Sequence, residues 1–158
     1  MEARVISLPA FQVVGYQIEA TVETFESGHG KRVYQELVGR KDEIHNRKNH
    51  NVILMQIYPL HCEFNPKVDD FVHLLCYEVH SADDIPVGMM SHAVSANPYV
   101  TYTHKGPESE LSLAYDYLYG QWMSESGNEP KDYDFEIWDE RYQPDSPDNE
   151  ITLFVALK

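Results

Sequence analysis

Apolar and polar residues along the chain follow two different periods, and each period predicts one kind of secondary structure. Alternating or short apolar runs typical of strands occur at residues 4–21, 51–58, 71–79, 85–94, 99–103, 135–142 and 151–157. Two stretches between them carry apolar side chains at helical spacing. These side chains are Val33, Tyr34, Leu37 and Val38 in the first stretch and Leu111, Ala114, Tyr115, Leu118 and Trp122 in the second. Pro107 and Gly127 are placed to begin and end the second helix.

The predicted elements follow the same order twice, namely strand, helix, strand, strand. The first set occupies about residues 1–80 and the second about residues 82–158, although residue identity between the two is weak. A strand that is followed by a helix and then by a hairpin produces a mixed or antiparallel sheet. We therefore expect one α+β domain over residues 1–158. We expect this domain to consist of two duplicated βαββ units related by pseudo-twofold symmetry. Their strands form a mostly antiparallel sheet with the helices on one side, and a ligand groove lies between the halves.

Composition excludes several classes of protein. With 42% hydrophobic and 24% charged residues, the chain is globular and not disordered. It has no run of about 18 apolar residues that would span a membrane, and its N-terminus lacks the layout of a secretory signal. Two cysteines, Cys62 and Cys76, are too few for a disulfide framework. These features predict a cytoplasmic protein.

Charge makes some partners more favourable than others. The net charge is −14, from 26 acidic and 12 basic residues, so direct binding to nucleic acid is disfavoured. Residues 106–150 contain acids at many positions but only two bases, Lys131 and Arg141. Such a segment is either ordinary solvated surface or a region that favours cationic ligands. Eleven tyrosines would suit a pocket wall as well as a core.

Four motifs resemble a known family. Residues 8–15, Leu-Pro-Ala-Phe-Gln-Val-Val-Gly, are similar to the opening of the GyrI-like small-molecule-binding family, which includes the effector-binding domains of AraC- and MerR-type regulators. Residues 99–107 resemble its strand that leads into a His-Lys-Gly-Pro helix start, 115–122 its aromatic helix, and 135–142 its Phe-Glu-x-aromatic strand. The resemblance implies two βαββ units with a ligand groove. Since no basic recognition helix precedes the domain, we expect the stand-alone form.

Glu136 is the main candidate for chemistry. Alternation along residues 134–142 places Glu136 and Trp138 on one face of a strand and Phe135 and Ile137 on the other. We expect the second pair to face the helix-covered core and the first pair to face the groove. A carboxylate beside an indole suits a flat lipophilic cation, and burial would raise its pKa into the range useful for acid–base catalysis. The alternative is an exposed residue of an acidic surface.

Further groove candidates are aromatic or lie where the family's first strand bends beside its cavity. They are Tyr58, Pro9, Phe11, Phe71, Tyr77 and Phe154. An ordinary core position is the alternative for each of them. No metal site is expected, since the eight histidines show no ligand spacing. No cofactor is expected either, because Gly-x-Gly-x-x-Gly and Walker loops are absent from the sequence.

Three functions remain open. The first is a small-molecule-binding protein that senses or sequesters hydrophobic molecules, cationic or aromatic, alone or with a regulator as its partner. The second, which the resemblance implies, is a hydrolase that opens strained cyclopropane rings of aromatic toxins, with Glu136 activating water. The third is inhibition of DNA gyrase by protein–protein contact, as for the family's namesake.

Overall fold

The computed structural model describes residues 2–59 and 63–158. Its eight strands form one antiparallel sheet. The strands are β1 (Arg4–Leu8), β2 (Phe11–Ala20), β3 (Arg47–Ile57), β4 (Phe71–Val79), β5 (Met90–Val94), β6 (Asn97–Lys105), β7 (Pro130–Trp138) and β8 (Glu150–Leu157). The α+β, antiparallel prediction is thus confirmed.

Strand order places the two halves side by side in this sheet. The order is β1-β6-β8-β7-β3-β4-β2-β5, so that β3 of the first half pairs with β7 of the second. Outward from this junction come β4 and β2 on one side and their counterparts β8 and β6 on the other. The outermost strands are exchanged, since β1 pairs with β6 and β5 pairs with β2. The strand order is therefore symmetric about the pairing of β3 with β7.

Strand boundaries differ from the prediction in several places; for example, the strand predicted over residues 85–94 begins only at Met90. Pro9 divides the predicted run 4–21 into β1 and β2, which pair with different strands. The strand predicted over residues 135–142 starts earlier, at Pro130, and ends at Trp138. Beyond it the main chain turns, and the Tyr142 amide donates to the Asp139 carbonyl at 3.0 Å.

Two helices cover one face of the sheet. The first helix, residues 22–39, consists of Val22–Thr24, Phe25–His29 and Gly30–Gly39, and is kinked where Gly28 adopts a φ of 126°. The second helix, residues 111–126, consists of Leu111–Asp116, Tyr117–Trp122 and Met123–Ser126. It ends at Gly127, whose φ of 72° is the left-handed conformation that favours glycine at a helix C-terminus. Within the described residues neither helix is long and apolar enough to cross a membrane.

Both faces of the sheet are buried, for different reasons. On the helix-covered face, Leu37 and Leu118 of the helices pack with strand residues. The opposite face carries an apolar cluster formed by strand residues. There the rings of Phe11 on β2 and Phe135 on β7 have centroids 5.7 Å apart, although three strand spacings in a flat sheet amount to about 14 Å. The sheet therefore curls, and this concave face buries itself.

The curl corrects one prediction. Phe135 and Ile137 belong to the concave cluster, whereas Trp138 belongs to the cluster that contains the helices. Glu136 and Trp138 therefore share a face, as predicted, but that face lies beneath the helices. The expectation that apolar Phe135 faces the helices is wrong, because a curled sheet provides a second apolar interior on its helix-free side.

Candidate functional site

Two carboxylates of β7 are buried between the sheet and the second helix. Asp134 is 0% exposed and Glu136 is 3% exposed. They stand two residues apart on one face, opposite Gln56 and Leu54 of β3, at the junction of the two halves. Buried carboxylates are costly unless hydrogen bonds or charges compensate them, so their partners define what the site can do.

Asp134 accepts hydrogen bonds from three side chains. The hydroxyl groups of Tyr58 and Tyr119 donate to Oδ2 at 2.7 Å and 2.5 Å. The amide nitrogen of Gln56 donates to Oδ1 at 2.8 Å. These donors come from β3, the residues just after it and the second helix, so Asp134 ties the helix to the sheet.

Glu136 accepts two hydrogen bonds. The Tyr115 hydroxyl donates to Oε2 at 2.5 Å, and the Trp138 indole nitrogen donates to Oε1 at 2.8 Å. The Gln56 amide nitrogen also donates to the Tyr115 hydroxyl at 2.9 Å. Gln56 and Tyr115 therefore form a bridge between the two carboxylates.

Burial shifts the pKa values of both acids upward. It raises the pKa of Glu136 from 4.5 to about 8 and that of Asp134 from 3.8 to about 6, and in each case the hydrogen bonds oppose the shift. Asp134, with three donors, stays closer to its ordinary value than Glu136, with two. Burial therefore favours the protonated form more strongly at Glu136 than at Asp134.

The charged groups that act on Glu136 are themselves acidic. Glu108 and Asp134 raise the pKa of Glu136 further by repulsion. Glu108 is hydrogen-bonded to Tyr142, whose hydroxyl donates to Glu108 Oε2 at 2.7 Å. The site is thus a centre of negative potential that favours a cation.

An aromatic wall separates Glu136 from a surface cavity. The Trp138 indole stacks on Tyr142 with centroids 4.6 Å apart and planes 3° from parallel, and Tyr34 of the first helix meets the indole edge-on at 5.3 Å. A cavity of about 470 Å³ is lined by Tyr34, Tyr77 and Trp138 together with residues of β3 and the end of the first helix. A flat molecule in this cavity would be separated from the Glu136 carboxylate by the indole ring of Trp138.

The structure brings together five of the predicted site residues. Glu136, Trp138 and Tyr58 belong to the hydrogen-bonded cluster, Phe71 packs against Tyr58 with centroids 5.0 Å apart, and Tyr77 lines the cavity. Whether they contact a ligand stays a prediction.

The structure places three other candidates elsewhere. Phe11 and Phe154 pack on the concave face, where Phe154 stacks on Phe135 with centroids 4.7 Å apart. Pro9 is exposed between β1 and β2. Phe11 also lines a separate cavity of about 270 Å³. These three residues do not contribute to the Glu136 site in this structure.

Sequence reasoning missed four residues that complete the cluster, namely Gln56, Asp134, Tyr115 and Tyr119. Two signals were available. Tyr115 and Tyr119 are four residues apart, so they share one side of the second helix. Gln56 is a polar residue in an otherwise apolar run of β3.

Metal binding finds no support in the described part of the chain. Over residues 2–59 and 63–158, no three His, Cys, Asp or Glu side chains are grouped as metal ligands would be. Two residues considered from the sequence, His61 and Cys62, lie outside the described residues.

Comparisons with known proteins match the whole chain to one family of domains. The GyrI-like small molecule binding domain matches residues 1–158. The chain is 29% identical over 162 aligned residues to the transcriptional regulator BrlR of Pseudomonas aeruginosa, with 99% of this chain and 56% of that protein covered. The chain therefore spans little more than half the length of this relative.

Two solved structures have a similar fold. SAV2435 bound to tetraphenylphosphonium superposes with a TM-score of 0.76 at 14% identity, covering 100% of this chain and 94% of that one. The C-terminal domain of EcmrR superposes with a TM-score of 0.74 at 18% identity, covering 99% and 97%. At these identities the likeness establishes the fold alone.

Proposed function

This chain belongs to the GyrI-like family of small-molecule-binding domains, and from that premise we propose that it binds lipophilic aromatic cations with Glu136 as the countercharge. In this role it acts as a receptor or a sink for such molecules. The observation that carries the proposal is a buried carboxylate whose charged neighbours among the described residues, Glu108 and Asp134, are acidic, and which accepts a hydrogen bond from the Trp138 indole. The tetraphenylphosphonium complex of a similar fold supports the same ligand class.

Binding requires a rearrangement at the aromatic wall. Both Glu136 oxygens already accept a hydrogen bond, from Tyr115 and from Trp138. A cation that reaches the carboxylate must move at least one of these donors. Its positive charge then stabilises the ionised carboxylate, and the displaced rings can contact its apolar surface.

Ionisation of Glu136 makes the affinity depend on pH. Because its pKa is about 8 in the ligand-free protein, a cation that pairs with the carboxylate must first expel the proton. The cost grows by about 1.4 kcal/mol, or tenfold in affinity, for each pH unit below 8. We therefore expect tetraphenylphosphonium affinity to rise between pH 6 and pH 8 and to level off above pH 9.

A pair of ions with opposite charge and similar shape tests the proposal. Tetraphenylphosphonium and tetraphenylborate are titrated against the protein at pH 9, with tryptophan fluorescence and calorimetry as readouts. We expect only the cation to bind. Glu136→Gln should weaken it at least about thirtyfold, which corresponds to about 2 kcal/mol.

Glu19→Gln serves as the matched control, because Glu19 is an exposed glutamate on β2. This variant should bind the cation as tightly as the unaltered protein. Equal binding of the two ions, or an unaltered affinity in Glu136→Gln, would contradict the proposal.

One observation favours a second candidate, the hydrolase. A carboxyl with a pKa of about 8 beside a tyrosine hydroxyl can accept or donate a proton near neutrality. Incubation with an aromatic cyclopropane toxin, followed by mass spectrometry, should then show a ring-opened product that Glu136→Ala does not form. Absence of this product excludes the hydrolase for that substrate. Inhibition of DNA gyrase stays a prediction, which a supercoiling assay tests.

A further inference from the structure

We propose that the preferred ligands of this site are flat aromatic dications, in which one cationic centre pairs with Glu136 and the other with Asp134. This inference rests on the proposed function, because it assigns a ligand class to the same site. It adds Asp134 as a second residue that recognises charge.

The spacing of the two carboxylates carries the inference. Residues two apart on a strand project to the same side, separated by about 7 Å along the strand. Both side chains lie beneath the second helix, and their nearest linkage is the bridge of Gln56 and Tyr115. Two charges at this separation match a ligand with two cationic centres at opposite ends of a two-ring frame.

Charge balance distinguishes one cation from two. Asp134 is 0% exposed, and its hydrogen-bond donors, Tyr58, Tyr119 and Gln56, are all uncharged. A single cation beside Glu136 would leave Asp134 as a buried carboxylate with no opposite charge among the residues that the structure describes. A dication compensates both, and a buried charge gains most from a partner that is also desolvated.

A nearby unsatisfied atom indicates how the bridge can open. His73 of β4 lies directly opposite Gln56 and is 0% exposed. Its Nε2 lies 3.1 Å from the Ala20 carbonyl, and its Nδ1 has no hydrogen-bond partner among the described residues. Cross-strand neighbours of this kind are about 5 Å apart at Cβ. If a ligand takes Asp134 from Gln56, His73 Nδ1 on the neighbouring strand is an unsatisfied acceptor toward which the released amide would turn.

Two isosteric probes test the inference at pH 9, where both carboxylates are ionised in the free protein. Methyl viologen is a flat dication, and N-methyl-4-phenylpyridinium has almost the same two-ring frame with one charge. Calorimetry should show methyl viologen binding at least about tenfold more tightly, which is about 1.4 kcal/mol.

Variants assign the preference to Asp134. Asp134→Asn should reduce the ratio of the two affinities to about one, whereas Glu136→Gln should weaken both probes. If Asp134→Asn is partly unfolded, both apparent affinities fall together, so their ratio remains a valid readout. Circular dichroism monitors the folded fraction.

The outcomes separate this inference from the proposed function. If the protein binds the monocation as tightly as the dication, or if Asp134→Asn keeps the preference, the dication inference is wrong while the proposed function stands. If neither probe binds and tetraphenylphosphonium also fails to bind, both are wrong.

Discussion

Replacing Glu136 by glutamine should change how the stability of the protein depends on pH. Burial raises the pKa of this carboxyl from 4.5 to about 8 in the folded protein. Between these two pH values the folded state holds a proton that the unfolded state has lost. The free energy of unfolding therefore falls as pH rises through this interval. Glutamine has no proton to lose, so Glu136→Gln removes this contribution.

The size of the effect follows from the interval between the two pKa values. At about 1.36 kcal/mol for each pH unit, it amounts to roughly 4–5 kcal/mol. Near pH 4.5 the unaltered protein and Glu136→Gln should be similar in stability, because a neutral carboxyl and an amide have similar polarity. At pH 9 the variant should be the more stable one by about that amount. Asp134 titrates in both proteins, and its repulsion with ionised Glu136, which Glu136→Gln removes, is part of the difference between them.

Urea denaturation at half-unit steps from pH 4.5 to pH 9, followed by tryptophan fluorescence, measures this difference. The exposed control Glu19→Gln should run parallel to the unaltered protein at every pH. If the stability of Glu136→Gln also runs parallel to it, within about 1 kcal/mol, the carboxyl is not desolvated as described and the reasoning fails.

Three further changes have definite expected outcomes. Trp138→Phe removes a donor to Glu136 and should lower the free energy of unfolding by about 1–3 kcal/mol, more at pH 9 than at pH 5; equal losses by circular dichroism would contradict this. Gly15→Ala should lower the free energy of unfolding by at least about 2 kcal/mol, since a Cβ there would overlap the Leu75 carbonyl; an unchanged Tm would show that the strands can separate. The Cys76 thiol, 0% exposed and with its pKa raised by burial, should stay unmodified by a thiol reagent at pH 8 until the protein unfolds; peptide mapping that finds it modified in the folded protein would refute its burial.

Local patterns predicted most of the elements because their causes are local. Alternation identified the strands, helical spacing identified both helices, and Gly127 ends the second helix as expected. Alternation also placed Glu136 and Trp138 on one face. It did not show which face the helices cover, because the curl of the sheet brings Phe11 and Phe135 together from strands that are far apart in the chain.

The remainder of the site depends on contacts between distant residues. Asp134 accepts hydrogen bonds from Gln56 and Tyr58, which lie 78 and 76 residues before it in the sequence. No periodicity in either segment predicts such a pairing. The same holds for the exchange of β1 and β5 between the halves, which strand pairing alone determines.

By itself, the order of residues determined the family, the sequence of strands and helices, and the negative sign of the charge, since each depends on composition or on neighbours along the chain. The folded molecule decided which of the two carboxyls keeps its proton to the higher pH. Desolvation and tyrosine hydroxyl groups set the two pKa values, and both arise only when β7, β3 and the second helix are packed together.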